Sequence, residues 1–145
     1  MFVKSILDEK GPELICALES DSIQKVAQLF KNERIGFAIV TDSNQNHVGT
    51  VSERDIVQAV ADIGEICTSP ISEIMTQNVV SVSPDDDLET VRDIMTERRT
   101  RHVLVKDDNK VVGVVSIGDL IKHSLAECKI DAAQMQQYIS GTGYQ

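Results

Sequence analysis

The chain has 145 residues, a formal net charge of −9 at pH 7, and only 3% aromatic residues against 41% hydrophobic ones. Nucleic acid and anionic membranes are bound by clustered Lys and Arg, and single strands also by aromatic side chains, so the composition argues against both partners. No apolar run approaches the roughly 18 residues of a membrane-spanning helix, and the N-terminus is too mixed for a signal peptide. The three cysteines, Cys16, Cys67 and Cys128, lie far apart, which predicts reduced thiols in a cytoplasmic protein.

The first half of the chain predicts a helical turn, a strand, a helix, a hairpin and a second helix. Apolar residues recur at helical spacing after Ser20 and Asp21, a pair expected to cap the helix; they are Ile23, Val26, Ala27 and Phe30. The expected bounds are 2–7 for the helical turn, 14–18 for the strand, 36–41 and 47–51 for the hairpin, and 53–62 for the second helix. Cys16 is expected to be buried in the first strand.

The second half predicts the same elements in the same order. Residues 83–85, Ser-Pro-Asp, are expected to open a helix, because proline suits the first helical turn and acidic side chains suit its positive end. The other expected bounds are 71–75 for the turn, 79–82 for the strand, and 102–105 and 111–115 for the hairpin. A last helix is expected to begin at Ile117 and to continue or restart through Ile130, Met135, Tyr138 and Ile139. His123 is expected at its surface.

One motif closes both halves. The pattern Gly-x-Val-Ser-x-x-Asp occurs at residues 49–55 and again, 64 residues later, at 113–119. A Ser three residues before an Asp at a helix start forms a capping box, and for a single copy that structural role is sufficient. Further matches pair Val3, Ile6, Leu7, Ile15, Ile23, Val26, Phe30 and Val40 with Ile71, Ile74, Met75, Val80, Leu88, Val91, Met95 and Val105. The sequence therefore predicts a duplicated unit whose halves share a core, since either half alone would be marginally stable.

The repeated order of elements resembles the CBS domain pair, the cystathionine-β-synthase-type or Bateman module. Further support comes from Ile-Met-Thr at 74–76, Val-Val-Ser-Val-Ser-Pro at 79–84, Arg-His at 101–102 and Ser-Glu-Arg-Asp at 52–55. The resemblance covers about residues 1–127, and the tail is similar to that of small stand-alone bacterial proteins made of one CBS pair. The expected organisation is a first repeat at 1–63, a linker at 64–70, a second repeat at 71–128 and a C-terminal helical extension at 129–145.

The resemblance implies a fold and a function. The fold is α/β (α+β), with two small three-stranded mixed sheets packed together and flanked by helices around a pseudo-two-fold axis. The function is that of a non-catalytic regulatory module that binds an adenine nucleotide between the repeats and acts as an energy-state sensor. AMP is the ligand we favour, with NAD or ATP as alternatives, and no catalytic cofactor is expected. We also expect a homodimer and an effector protein of unknown identity. The alternative is a dimerisation or partner-docking module whose clefts are empty.

The family motif, carried over residue by residue, predicts two clefts, which we call cleft A and cleft B. Asp55 and Asp119 would accept hydrogen bonds from ribose hydroxyls, and Ser52 and Ser116 would lie near phosphate or ribose. Cleft A would be formed by Ser52, Arg54 and Asp55 with Val80, Arg101 and His102. Cleft B would be formed by Ser116, Gly118 and Asp119 with Ile15, Gly36 and Phe37.

The two predicted clefts are chemically unequal. Cleft A would receive cations from both repeats, including Arg54, whose guanidinium matches the geometry of a phosphate. Cleft B has Gly36 and Phe37 where cleft A has Arg101 and His102. We therefore expect cleft A to bind a phosphate more tightly than cleft B. A purely structural role for His102 stays open at this stage.

Overall fold

The computed structural model describes the backbone of residues 1–137 and the side chains of residues 1–127 and 134–136. It contains two copies of one unit. The helices are α1 (Val3–Lys10), α2 (Ile23–Glu33), α3 (Glu53–Ile63), α4 (Leu88–Arg98) and α5 (Ile117–Gln137), with a 3₁₀ turn at Ile71–Glu73. The strands are β1 (Cys16–Leu18), β2 (Phe37–Thr41), β3 (His47–Ser52), β4 (Ser81–Val82), β5 (His102–Asp107) and β6 (Lys110–Ser116).

The two sheets have the same topology. In the first, β2 pairs with β1 in parallel and with β3 antiparallel, and in the second β5 pairs with β4 and β6 in the same two ways. Phe37 lies opposite Ser52 in one hairpin, and His102 lies opposite Ser116 in the other. Both hairpins also shift register at corresponding points, after Val40 and after Val105. The prediction of two three-stranded mixed sheets with flanking helices is confirmed.

Two helix starts differ from the prediction. The cap of α2 is Ser22, whose side chain accepts a hydrogen bond from the Lys25 amide, because Asp21 instead accepts one from the Leu18 amide and closes the turn after β1. The cap of α4 is Asp87, not the Ser-Pro-Asp of 83–85.

Residues 83–86 form a turn that serves α1. The Asp86 carboxylate accepts a hydrogen bond from the Ser83 amide at 2.8 Å. The carbonyls of Pro84 and Asp86 then accept hydrogen bonds from the amides of Lys4 and Val3, at 3.0 and 2.9 Å. Since the first amides of a helix have no partner within that helix, this turn satisfies two of them for α1. The turn therefore docks the first helix of the chain instead of opening α4.

The start of each repeat packs into the core of the other. Val3 and Ile6 of α1 are buried in the core of the second repeat, together with Val82, Leu88, Val91, Met95, Val103, Val105, Val115 and Leu120. Ile66 of the linker and Ile71, the first residue of the second repeat, are buried in the core of the first. Full burial of such aliphatic side chains stabilises the fold by about 1.5–3 kcal/mol each. The exchange brings the end of α1 to the end of β6.

Two further expectations are wrong. Cys16 is exposed, because β1 is an edge strand in which only the middle residue, Ala17, faces the core. His123 is buried, and its Nε2 lies 3.2 Å from a carboxylate oxygen of Glu9 on α1. The last helix is continuous to Gln137, and Met135 on it is exposed. Tyr138 and Ile139 lie outside the described residues. Within residues 1–137, no helix is both long and apolar enough to cross a lipid bilayer.

Candidate functional site between the repeats

Both copies of the repeated motif form a capping box at a helix start. In α3 the Ser52 hydroxyl accepts a hydrogen bond from the Asp55 amide at 3.3 Å, and the Asp55 carboxylate accepts one from the Ser52 amide at 2.9 Å. Ser116 and Asp119 make the same two hydrogen bonds at the start of α5, at 3.2 and 2.9 Å. The capping reading of the motif is therefore correct, and it fixes one carboxylate at each helix N-terminus.

A pair of rings joins the two repeats. Phe37 and His102 are the first residues of β2 and β5, and their rings stack with centroids 4.4 Å apart and planes inclined by 11°. Because the two residues are equivalent in the repeat, the stack lies on the pseudo-two-fold axis. The pKa of His102 is lowered from 6.5 to about 4, mainly by burial and also by the positive charges of Lys10 and Arg101, against an opposing effect of Asp119. The imidazole is therefore neutral at pH 7.

Cleft B is an open cavity of about 370 Å³ beside this ring pair. It is lined by Leu7, Lys10, Gly11, Glu13, Leu14, Ile15, Arg34, Ile35, Gly36, Phe37, Ala38, His102, Gly113, Val114 and Ser116. Four residues predicted for this cleft are thus brought together: Ile15, Gly36, Phe37 and Ser116. Asp119 is not among the lining residues, but its carboxylate lies 2.9 Å from Nζ of Lys10, which is. Gly118 lies at the exposed start of α5 and is not among the lining residues.

His102 was predicted for cleft A, and the structure places it in the wall of cleft B. The reason is the stack on Phe37, which turns the imidazole towards the first repeat. An assignment based on the motif of one repeat cannot show this, because the direction of the ring depends on a side chain from the other repeat.

Lys10 holds the acidic residue of cleft B. Its Nζ donates hydrogen bonds to Asp119 Oδ2 at 2.9 Å and to the Val114 carbonyl at 2.7 Å. Burial raises the pKa of Asp119, but the hydrogen bonds from the Ser116 amide and from Lys10 outweigh it, so the pKa lies below its ordinary value. Asp119 is therefore a carboxylate at neutral pH, with an ammonium group against it.

Two cations of cleft B were not predicted from the sequence. Lys10 and Arg34 line this cleft, so it has positive charges of its own besides those expected for cleft A. A signal for Lys10 was present, because the repeat pairs Leu7 with Met75, and Lys10 lies one helical turn after Leu7. Arg34 ends α2 in the left-handed conformation with φ 55°, as Arg99 ends α4 with φ 53°. Both cations lie outside the segments on which the resemblance to the family rests.

In cleft A a neutral hydroxyl takes the place of Lys10. Thr76 Oγ1 lies 3.2 and 3.4 Å from the two carboxylate oxygens of Asp55 and donates to them. The position of Thr76 is set by two backbone hydrogen bonds that it exchanges with Thr50, at 2.8 and 2.9 Å. The acidic residue of cleft A therefore has an uncharged partner.

The remaining residues predicted for cleft A are placed as follows. Arg54 Nη1 donates to the Arg99 carbonyl at 3.2 Å, which joins the start of α3 to the end of α4 across the two repeats. Arg101 is exposed, and its carbonyl accepts a hydrogen bond from the first amide of α5 at 2.8 Å. Val80 packs against the core of the second repeat and pairs with β5 through its carbonyl. Arg54 and Arg101 are thus available to a ligand, while Val80 is a structural element of the wall.

Comparison with known proteins agrees with this architecture. The sequence profile of the CBS domain matches residues 3–62 and 71–126. The chain belongs to the CBS domain family. The two matched segments are the two structural repeats, so the molecule is a CBS domain pair, as the resemblance of the motif predicted.

Solved structures of other CBS domain proteins are similar over most of the chain. A CBS-domain protein from Agrobacterium tumefaciens is 36% identical over 83% of this chain and 91% of that one, with a TM-score of 0.81. A CBS domain protein from Pyrobaculum aerophilum, solved in complex with AMP, is 30% identical over 82% of this chain and 89% of that one, with a TM-score of 0.71. The CBS domain pair of protein MJ0100, in complex with 5′-methylthioadenosine and S-adenosyl-L-methionine, is 28% identical over 88% and 98%, with a TM-score of 0.77.

Proposed function

We propose that this CBS domain pair is a non-catalytic regulatory module that binds an adenosine-derived ligand between its repeats. The observation that carries the proposal is the composition of cleft B. Its wall combines an aromatic ring pair for a flat base with two cations for an anionic group, and the Asp119 carboxylate that could accept ribose hydroxyls lies next to the wall, against Lys10. Its volume of about 370 Å³ lies within the range of ordinary small-molecule sites.

AMP is the ligand we propose first, with NAD or ATP as alternatives. A single phosphate is matched by the charges of Lys10 and Arg34, and the cavity is at the small end of the usual range. Relatives of similar structure bind AMP in one case and S-adenosyl-L-methionine with 5′-methylthioadenosine in another, which supports an adenosine moiety as the common element. Binding would change the state of the protein only by the difference in affinity between two states.

The side chains of cleft B support binding and not catalysis. The Ser116 hydroxyl is engaged as the helix cap, and the His102 imidazole is stacked and has a pKa of about 4. A general base for neutral pH needs a pKa near the working pH and a free approach to its substrate. These two residues meet neither requirement in the observed arrangement.

A homodimer is the second part of the proposal, and docking without a ligand is the alternative function. Apolar side chains on α3 and α5 are each more than half exposed; they are Val57, Val60, Ile63, Ile121, Leu125 and Met135. Because α3 and α5 are equivalent helices, a second copy related by a two-fold axis would cover both faces with the same surface. We expect Val57→Asp combined with Ile121→Asp to convert a dimer to monomers in sedimentation velocity. A species of unchanged mass would contradict this interface.

The experiment that tests ligand binding is thermal unfolding with AMP, ADP, ATP, NAD, NADH and S-adenosylmethionine. A ligand at 100 times its dissociation constant stabilises a protein by about 2.7 kcal/mol, which is about 5–10 °C for a chain of this size. We expect a selective shift that is reduced by Asp119→Ala and by Asp55→Ala. Asp93→Ala is the matched control, because Asp93 is an exposed carboxylate on α4. Indifference to all six compounds would reject the binding module and favour the docking module.

A further inference from the structure

The position of Lys10 is set by the packing of α1 on the second repeat. Val3 and Ile6 are fully buried there, and the Leu7 side chain occupies the space that a side chain at Gly113 would need. Since α1 cannot move without uncovering these residues, Lys10 at its last turn is held over cleft B. Its contact with Asp119 joins residues 109 positions apart in the sequence.

The ammonium group and a ribose would compete for the same acceptor. Asp119 Oδ2 already accepts hydrogen bonds from the Ser116 amide and from Lys10 Nζ, both at 2.9 Å. The Asp119 side chain is 21% exposed and that of Lys10 is 39% exposed, so the pair is partly shielded from water. A ribose hydroxyl that takes this oxygen displaces the ammonium from its anion. Leaving a charged group without a partner in a partly buried place is unfavourable.

A phosphate on the ligand changes this balance. It gives Lys10 a new anionic partner at the moment when Asp119 is taken by the ribose, and Arg34 lines the same cavity. Adenosine itself carries no such group, so its binding leaves the ammonium without an anionic partner and with only the Val114 carbonyl as its acceptor. The preference for a phosphorylated ligand over adenosine therefore has two contributions. One is the attraction between Lys10 and the phosphate, and the other is the cost that adenosine incurs by separating Lys10 from Asp119.

Cleft A provides the internal contrast. The partner of Asp55 there is the Thr76 hydroxyl, which is neutral and can turn towards water when a ribose displaces it. Displacing a hydroxyl leaves no charge unpaired. The displacement of Thr76 from Asp55 by a ribose therefore costs the same whether or not the ligand carries a phosphate.

We infer that Lys10 is a specificity-determining residue of cleft B. Its contact with Asp119 disfavours the binding of neutral nucleosides, and ligands that carry an anionic group overcome this contact because the group becomes the new partner of Lys10. This inference rests on the proposed function, because it assumes that an adenosine moiety enters the cleft. It assigns to α1, outside the repeated motif, the choice between AMP and adenosine.

The test is calorimetric titration with AMP and with adenosine, in an Asp55→Asn background that weakens cleft A. We expect Lys10→Met to weaken AMP binding about tenfold and to strengthen adenosine binding, so that the ratio of the two affinities falls by more than tenfold. Lys10→Arg keeps the cation and should retain most of the ratio. Lys4→Met is the matched control, because it removes the same charge from the exposed side of the same helix.

Two outcomes would overturn the inference, and they are distinguishable. If the parent protein binds AMP or adenosine and Lys10→Met leaves their affinity ratio unchanged, the role of Lys10 is rejected while the proposed function stands. If the parent binds neither compound, and none of the six ligands shifts the unfolding of the unmodified chain, the proposed function is rejected and the inference falls with it.

Discussion

Cleft A and cleft B have the same backbone and hold their acidic residue in different ways. Asp119 faces an ammonium group from α1, whereas Asp55 faces the hydroxyl of Thr76, which follows the 3₁₀ turn. Both partners come from segments that lie outside the repeated motif, near the start of a repeat. Duplication of the motif therefore reproduces the helix cap, while the electrostatics of each cleft depends on the segment that has been exchanged between repeats.

The helix starts add to this difference. α3 begins with Glu53 and Arg54, and the Glu53 side chain occupies the space that a side chain at Gly36, in the wall of cleft B, would need. In α5 the same positions are Ile117 and Gly118. A negative side chain in the first turn of a helix competes with an anion for the positive end of the helix dipole. The start of α3 therefore carries two charged side chains that the start of α5 lacks.

The largest expected effect concerns Gly49 and Gly113, the two glycines against which Thr76 and α1 pack. A side chain at Gly49 would lie 2.7 Å from the Thr76 carbonyl, which is backbone, whereas one at Gly113 would meet the flexible end of Leu7. We expect Gly49→Ala to reduce the free energy of unfolding by about 2–3 kcal/mol and Gly113→Ala by about 1 kcal/mol, because a backbone clash is harder to relieve. Urea unfolding of the two variants measures this. If Gly113→Ala lost more unfolding free energy than Gly49→Ala, the packing of α1 at Gly113 would be more rigid than the packing of Thr76 at Gly49.

The next effect is a pH dependence that comes from the ring pair. His102 has a pKa of about 4 when folded and 6.5 ordinarily, so the unfolded chain binds the extra proton as the pH falls from 6.5 towards 4. Stability is therefore lost over that window, by about 2 kcal/mol after allowance for partial exposure of the ring. His102→Phe keeps the stack and removes the titration. The difference in unfolding free energy between the two proteins, measured from pH 7 to pH 4, should grow as the pH falls; a constant difference would contradict the neutral imidazole.

A smaller effect separates the two acidic residues. Asp55→Ala should reduce the unfolding free energy by about 1 kcal/mol through loss of a capping interaction. Asp119→Ala should cost up to about 1 kcal/mol more, because it also removes the partner of Lys10. Thermal unfolding at low salt measures both, and Asp119→Asn provides the comparison in which an acceptor for the Ser116 amide is kept. Equal losses for Asp55→Ala and Asp119→Ala would mean that the ion pair adds nothing to stability.

The smallest effect is expected at Thr76. Thr76→Val removes the hydroxyl that donates to Asp55 and keeps the size and branching of the side chain. We expect a loss of about 0.5 kcal/mol, since the hydrogen bond is exposed and longer than 3 Å. Thr96→Val is a suitable control, because its hydroxyl bonds only to a carbonyl of its own helix. If Thr76→Val reduced the free energy of unfolding by more than Lys10→Met, the neutral partner of Asp55 would stabilise the fold more than the charged partner of Asp119.

The duplication, the order of the elements and the two capping boxes could be predicted from the sequence alone, and so could the family. The elements and caps depend on local patterns, since a Ser and an Asp three residues apart reach the same helix start and apolar spacing follows the period of the element. Ile15, Gly36, Phe37 and Ser116 were assigned to one cleft by the resemblance to the family. The errors at Ser20-Asp21 and at residues 83–85 were local ones, because several polar residues in a row could each serve as the cap.

The charges of each cleft depend on tertiary packing and could not be predicted from the sequence. Lys10 reaches Asp119 because α1 packs on the second repeat, and His102 faces cleft B because it stacks on a ring of the first. His123 is buried, with Glu9 of α1, which is distant in the sequence, beside it. The pattern of residues along an element shows which side chains can face a core, but it does not show which other segment covers them. That choice depends on the packing of the whole chain, and in this protein it sets the chemistry of the site.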